Sequence, residues 1–256
     1  MYNKKLFDRA VENQKYEKLG YSLEHDFLPL FNDSMKLLDI GCGRGKFLNM
    51  VKVPKIGIDI SKKNLKIIKE MQELSNLSLI VADAENIPIK DLSINFIHFS
   101  STLHHIPNYL KTLKDSIKIL KNRGLLYFSE SNRVGLPLIS LLEKLARLRG
   151  NYYEFYSGVN VFNIFNLFKK NNIFIYNNIN APIRFDGSYF TLWYHDQLVS
   201  VIKSVFNSSL RMTKFLLLYL KTFFSLFESI IERLLPKTYK TWIQGLFIKR
   251  NGKLLS

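Results

Sequence analysis

Leu37-Leu38-Asp39-Ile40-Gly41-Cys42-Gly43-Arg44-Gly45-Lys46-Phe47-Leu48 reads as an apolar strand that runs into a glycine-rich turn with an acid at its entrance. Gly41, Gly43 and Gly45 allow a tight turn after a buried strand and let a ligand approach main-chain N–H groups without meeting a β-carbon. A helix expected over Lys46 to Val51 follows, then a second strand, Lys55-Ile56-Gly57-Ile58-Asp59-Ile60, with an acid at its end. Strand, glycine turn, helix and acid-terminated strand together imply a site for a nucleoside-containing cofactor.

The loop itself discriminates among such cofactors. A Walker-type loop needs Gly-Lys followed by Ser or Thr to hold magnesium, and Gly45-Lys46 is followed by Phe47. A dinucleotide loop needs G-x-G-x-x-G so that pyrophosphate rests on a helix N-terminus, whereas this chain has G-x-G-x-G with Asp39 just ahead of it. A carboxylate at that place repels pyrophosphate and suits a cofactor with a positive charge and an amino-acid tail, as in S-adenosylmethionine.

From about Leu37 to Glu130 the chain resembles the class I S-adenosylmethionine-dependent methyltransferases. The resemblance implies that Asp39, Gly41, Cys42, Gly43 and Gly45 form the cofactor loop and that Asp59, with Ile60, binds the ribose hydroxyls. It implies that Asp83 and Ala84, in Leu79-Ile80-Val81-Ala82-Asp83-Ala84-Glu85, meet the adenine, and that Ser100 lines the cofactor site. The stretch from Ile87 to Ile106 resembles the fourth-strand segment of the subgroup that includes quinone and sterol methyltransferases. It departs from that subgroup at Asn95, where an Asp is usual, and at Ile94, where an aromatic residue is usual. Each acid also has an ordinary structural role open to it: Asp39 as a loop brace, Asp59 as a strand-end turn residue, Asp83 as a helix N-cap. Three acids at successive strand ends favour a site, because ligands of open α/β sheets collect at the carboxyl ends of strands. Cys42, the single cysteine, has no identifiable activating partner and reads as a small residue that fits the loop.

The expected architecture is α/β, a doubly wound, Rossmann-like, mostly parallel sheet with an N-terminal helical extension and a helical insertion near the C-terminus. The expected helices are Leu6 to Phe31, Lys62 to Leu74, Tyr109 to Leu120, Leu136 to Leu148 and Val159 to Lys170. The later strands are Gly124 to Glu130, after a turn at Asn122-Arg123-Gly124, then Ile173 to Tyr176 and Trp242 to Lys249. Residues 1–182 read as the core with its N-terminal helices, 183–240 as an inserted helical lid or membrane-contact segment, and 241–256 as the final core strand and tail. Within the insertion, Phe215 to Leu235 is strongly apolar but interrupted by Lys221, Glu228 and Glu232, which disfavours a spanning helix of about 20 mostly apolar residues. It reads either as a cover for the site or as a helix lying in a bilayer surface.

The 256 residues carry 37 Lys and Arg against 21 Asp and Glu, a formal net charge of +16. Such a chain seeks polyanions, and basic residues beside a long apolar helix fit an anionic membrane surface or a lipid-linked acceptor better than a nucleic acid, for which no reading module is visible. One cysteine and the absence of a signal-peptide pattern at Met1 to Arg9 lead to the expectation of a cytoplasmic protein, with peripheral contact at the inner membrane face. His104 and His105, just after the fourth strand, lie where the resemblance places substrate-facing residues. Either is a candidate general base for a hydroxyl or phenol acceptor, the competing role being to brace the loop. Adjacent histidines without a further ligand make no metal site. His98 reads as a packing residue, and Glu130 as either substrate-facing or a turn cap. The reading is a methyltransferase that takes its methyl from S-adenosylmethionine and passes it in line to a small-molecule or lipid-like acceptor. A catalytically silent, membrane-associated cofactor-binding module and a dinucleotide oxidoreductase are the alternatives.

Overall fold

Residues 24–71, 76–132, 158–179, 181–186 and 242–250 are described by a computed structural model. In chain order they form α1 (Glu24–Phe27) with a 3-10 turn (Leu28–Leu30), β1 (Leu37–Ile40), α2 (Lys46–Met50), β2 (Lys55–Asp59), α3 (Lys62–Met71) and β3 (Leu77–Val81). There follow β4 (Ile94–Ser100), a second 3-10 turn (Leu103–His105), α4 (Tyr109–Ile119), β5 (Leu120–Ser131), α5 (Val161–Lys170), β6 (Ile173–Ile175), β7 (Ile183–Asp186) and β8 (Trp242–Lys249). The chain divides into two compact units, one of Met1–Glu130, Phe162–Arg184 and Gln244–Ser256, the other of Ser131–Val161 and Phe185–Ile243. In the second unit, Asn132 and Val159 form a parallel bridge, and the Val159 N–H donates to the Ser131 carbonyl at 2.8 Å.

The eight strands form one sheet in the order β3-β2-β1-β4-β5-β8-β6, with β7 also paired to β8. The pairs β1–β2, β2–β3, β1–β4 and β4–β5 are parallel, and β6–β8 is antiparallel. Parallel pairing needs crossover helices on both faces, so the central strands are covered twice and read as continuous apolar runs. Leu37, Leu38, Ile40, Phe96, Ile97 and Phe99 are all buried. Neighbours along β5 go to opposite faces: Tyr127 joins Phe27, Phe47 and Phe96 on one side, while Phe128 packs with Phe168 and Phe247. The helices turn one stripe inward, as Leu65 and Ile68 do in α3, or Ile164 and Phe168 in α5, while Lys62, Lys66 and Lys69 stay in solvent. Two lysines finish helices by donating to orphan carbonyls: Lys55 to those of Leu48 and Val51 after α2, and Lys249 to those of Ile117 and Leu120 after α4.

The expected strands and helices of the core are present within a few residues, with four differences. β3 begins at Leu77, where its edge position leaves it only half-covered. The turn expected before the fifth strand is a bulge inside a longer β5: the register passes from Ile94↔Leu120 to Phe96↔Leu125, with Arg123 at φ 62° absorbing the excess. Pro29 converts the end of the expected N-terminal helix into a 3-10 turn, so its α-helical ladder stops at Phe27. Ile183–Asp186 is a strand, paired to β8, where only insertion was expected. The rest of the N-terminal helix, the helix over 136–148 and the apolar run 215–235 lie outside the described residues. Among the described residues no helix is long and apolar enough to cross a membrane.

Phe27 is fully buried and its ring meets those of Phe31, Phe47, Phe96 and Tyr127. Phe27→Ala is expected to lower unfolding free energy by about 3–5 kcal/mol in a urea titration, and Phe27→Leu by far less. An Ala variant as stable as the parent would contradict this account of the core.

Candidate functional site

Strand order reverses between β1 and β4, and parallel pairing puts the carboxyl ends of β1, β2, β3, β4 and β5 on one edge of the sheet. The turn after β1 has Gly41, Gly43 and Gly45 at φ 73°, 53° and 76°, a left-handed path that L side chains adopt only under strain. A β-carbon on Gly41 would lie 2.3 Å from the Thr102 side chain, so the first turn can lie against the turn after β4 only without one. At Gly43 the same β-carbon would meet nothing within 4 Å. The loop is therefore tight against protein at one glycine and open at the next.

Asp59, at the end of β2, accepts from the Gly43 N–H through Oδ2 and the Ser61 N–H through Oδ1, both at 2.8 Å, with Asn64 Nδ2 at 3.5 Å. Burial raises its pKa against the lowering effect of these donors. Its carbonyl accepts from the Ala82 N–H at 3.2 Å, which ties the turn after β3 to the same edge. There Asp83 is exposed, and its Oδ1 accepts from the Glu85 N–H at 2.9 Å. Ile60 and Ala84 are half-buried on either side of this junction, and Ser100 ends β4 with its carbonyl accepting from Thr102 Oγ1 at 3.0 Å. Cys42 is buried, and desolvation, with the Asp39 and Asp59 charges, pushes its thiol well above the ordinary value. It is a protonated packing group whose Sγ fills the space beside Gly57.

Asp39 does not stand alone at the loop entrance. β1 and β4 are in register with Asp39 opposite His98, and His98 Nδ1 donates to Asp39 Oδ1 at 2.7 Å. Its Nε2 donates to Glu24 Oε1 of α1 at 3.0 Å. Both ring nitrogens face carboxylate oxygens, so both carry protons. The ring lies parallel to Phe47 at 3.7 Å between centroids and to Tyr127 at 5.2 Å. Burial pulls the imidazole pKa down, but Asp39 and Glu24 outweigh it and lift the group to about 9. The packing role expected of His98 is thus that of a buried cation between two acids.

The turn after β4 is organised by Glu130, a fully buried residue near the end of β5. Its Oε1 accepts the N–H groups of Thr102 and Leu103 at 2.7 and 2.8 Å, which would otherwise be orphans at the start of a 3-10 turn. Its Oε2 lies 2.6 Å from His104 Nδ1. His105 packs on His104 with 4.2 Å between ring centroids. Burial and then the His104 charge hold the His105 pKa down to about 3, so it is neutral and a weak base. The structure separates the two candidate bases: His104 has a carboxylate partner, and His105 has an environment that opposes proton uptake. Among the described residues no group of three or more His, Cys, Asp or Glu could hold a metal ion.

The edge thus gathers the glycine turn, Asp59, Ala82 with the turn that follows it, and the Thr102–His105 turn. Sequence reading missed Glu24, Thr102 and the partnership of His98 with Asp39. A histidine inside Ile94-Asn95-Phe96-Ile97-His98-Phe99 and an acid inside Leu37-Leu38-Asp39-Ile40 are each out of place in a buried strand, and pairing these strands side by side would have matched them. Because the His98 pKa is raised from 6.5 to about 9, its contribution to stability is complete below about pH 6.5 and is lost as pH rises through about 9. Unfolding free energy is expected to fall by ~3 kcal/mol between pH 6.5 and 9.5, with His98→Phe flattening that profile. Parallel profiles for the two proteins would contradict a charged His98.

Residues 31–155 match a family model described as a methyltransferase domain. The demethylmenaquinone methyltransferase of Staphylococcus aureus (strain JH9) is 30% identical over 162 residues, spanning 56% of this chain and 67% of that protein. Its counterpart in Staphylococcus saprophyticus is 28% identical over 117 residues, 43% of this chain and 50% of that protein, so the chain spans about half the length of some of the curated relatives it matches. Among solved structures, an S-adenosylmethionine-dependent methyltransferase from Mesorhizobium loti superposes with a TM-score of 0.55 at 12% identity, covering 90% of this chain and 99% of that one. The cyclase SpnF superposes with a TM-score of 0.56 at 14% identity, over 96% of this chain and 82% of that one. These structural likenesses are of fold, and one fold hosts more than one chemistry. The glycine turn, the acids at the strand ends, the matched domain and the staphylococcal relatives lead to one family: the chain belongs to the class I S-adenosylmethionine-dependent methyltransferases.

Proposed function

We propose that this chain transfers the methyl group of S-adenosylmethionine to a small, lipid-like acceptor with a hydroxylated ring of the quinone class, and that His104 is the general base. The Glu130–His104 contact at 2.6 Å carries this reading. Relatives named demethylmenaquinone methyltransferase support the acceptor class.

The residues fit the cofactor. Gly43 has open space where a side chain would stand, and Asp59 keeps acceptor capacity beyond its two main-chain donors, since a carboxylate offers about four lone-pair sites. Asp59 would hold the ribose hydroxyls, Asp83 the adenine amino group and the Asp39 end of the turn the amino-acid tail, with Ile60, Ala84 and Ser100 lining the site. When bound, the cofactor supplies an electrophilic methyl group on a sulfonium.

The chain's own part is to align and to take a proton. With its Nδ1 proton donated to Glu130, a neutral His104 carries its lone pair on Nε2. That nitrogen would take the proton of a ring hydroxyl; the electron pair left on the acceptor would form the bond to the methyl carbon as the methyl–sulfur bond breaks, its pair remaining on the sulfur and neutralising the sulfonium. Glu130 holds the imidazole in place and stabilises its charge once protonated. Its two main-chain bonds fix the turn on which His104 stands. Positioning supplies most of the acceleration in such a displacement. His105, held neutral, packs beside the base.

Incubating the protein with methyl-labelled S-adenosylmethionine and separated cell lipid and metabolite fractions is expected to label a quinone-containing lipid fraction. With that acceptor, His104→Gln is expected to lower kcat about 10²–10⁴-fold while cofactor affinity is unchanged. Full activity in His104→Gln would remove the base, label confined to water-soluble metabolites would remove the acceptor class, and cofactor binding without turnover in any fraction would favour the silent binding module.

A further inference from the structure

The buried triad of Glu24, His98 and Asp39 is not used by the proton-transfer chemistry, yet it sets three ionisable side chains in the buried interior. Their residues are 8%, 1% and 3% exposed. Buried ion pairs seldom improve on apolar side chains of the same volume, because desolvation offsets most of their attraction. A Leu or Val would pack between Phe47 and Tyr127 at lower cost. What an apolar residue cannot do is fix the direction of a neighbouring carboxylate.

The position of the imidazole in the chain makes that direction matter. Through Nδ1 it holds Asp39, just before the glycine turn, and its face lies 3.7 Å, centroid to centroid, from the ring of Phe47, just after the turn. One ring therefore grips both ends of the Gly41–Gly45 turn. Three left-handed glycines have little stiffness of their own, since glycine reaches either sign of φ at little cost. Thr102 and Ile68 bound the turn at Gly41 and Gly45, while Gly43 has open space where a β-carbon would stand and is held through its N–H by Asp59. Bonds to Ile58, Asp59 and Cys42 hold the middle of the turn, its two ends follow the His98 ring, and Glu24 holds the ring's far nitrogen at 3.0 Å.

We infer that Glu24 and His98 are positioning residues for cofactor binding: Glu24, on the helix that precedes the sheet, orients the His98 ring, and the ring clamps Asp39 and Phe47 at the two ends of the glycine turn. The inference rests on the reading of that turn as the S-adenosylmethionine site. It makes docking of Glu24 and occupancy of the turn reciprocal, since two events linked through one element must favour each other equally.

Calorimetric titration of S-adenosylmethionine onto the full chain, with circular dichroism to verify folding, tests it. Glu24→Asp keeps the charge but is one methylene short of the ring, and Glu24→Gln keeps the reach and the accepting oxygen. Glu24→Asp and Glu24→Ala are expected to raise Kd about tenfold, while Glu24→Gln stays within about threefold of the parent and kcat at saturating cofactor is little changed in all three. Folded Glu24→Asp protein that binds as tightly as the parent overturns the inference, and this variant decides the matter if Glu24→Ala does not fold. Glu24→Gln binding as weakly as Glu24→Asp would also overturn it, because then reach is not what counts. A parent protein that does not bind the cofactor at all would remove the functional reading together with this inference, whereas a binding parent with unmoved variants removes the inference alone.

Discussion

Parallel pairing of β1 with β4, in the register that sets Asp39 beside His98, is the constraint on which the site depends. It brings the turn after β1 against the turn after β4, closely enough that Gly41 can carry no side chain beside Thr102. The first turn is the proposed place for the cofactor, and the second carries His104. Because both strands are buried on both faces, a slip by one residue would part Asp39 from His98 and leave each buried without its partner. The buried Asp39–His98 pair thus helps fix the relative position of the two turns that follow these strands.

Charge is handled differently at the two turns. Before the glycine turn, the His98 imidazolium is sealed in the core between Asp39 and Glu24, each facing one ring nitrogen. At the second turn, Glu130 spends one oxygen on two main-chain donors and the other on His104. A carboxylate in that situation acts as a brace and as a partner for a base at once. The two roles weighed for Glu130 and for the histidines, bracing and chemistry, are therefore compatible: the brace places the proposed base. His105 shows the converse, a histidine whose burial removes it from acid–base work near neutral pH.

Much of this was legible in the sequence. The strand–glycine–helix–strand order, the acids at Asp39, Asp59 and Asp83 and the paired histidines follow from local pattern, since period and turn chemistry act over a few residues. Partners distant in the chain were not legible: Glu24 with His98, Glu130 with the Thr102 and Leu103 N–H groups, and the bond from Gly43 to Asp59, which turns an expected ligand group into a loop brace as well. The bulge at Arg123 was hidden for a related reason. A turn before a strand and an excess loop within one have the same residues and differ only in where the neighbouring strand resumes pairing.

The central claim is that the turn from Gly41 to Gly45, with the acids beside it, takes S-adenosylmethionine and not a dinucleotide. An equilibrium titration of the protein with S-adenosylmethionine and, separately, with NAD tests it most directly, with Asp59→Ala as the probe of the site. The account predicts single-site binding of S-adenosylmethionine, no competition by NAD, and a loss of about 1–3 kcal/mol of binding free energy in a folded Asp59→Ala protein. Binding of NAD in place of S-adenosylmethionine, or unchanged S-adenosylmethionine affinity in Asp59→Ala, would contradict it.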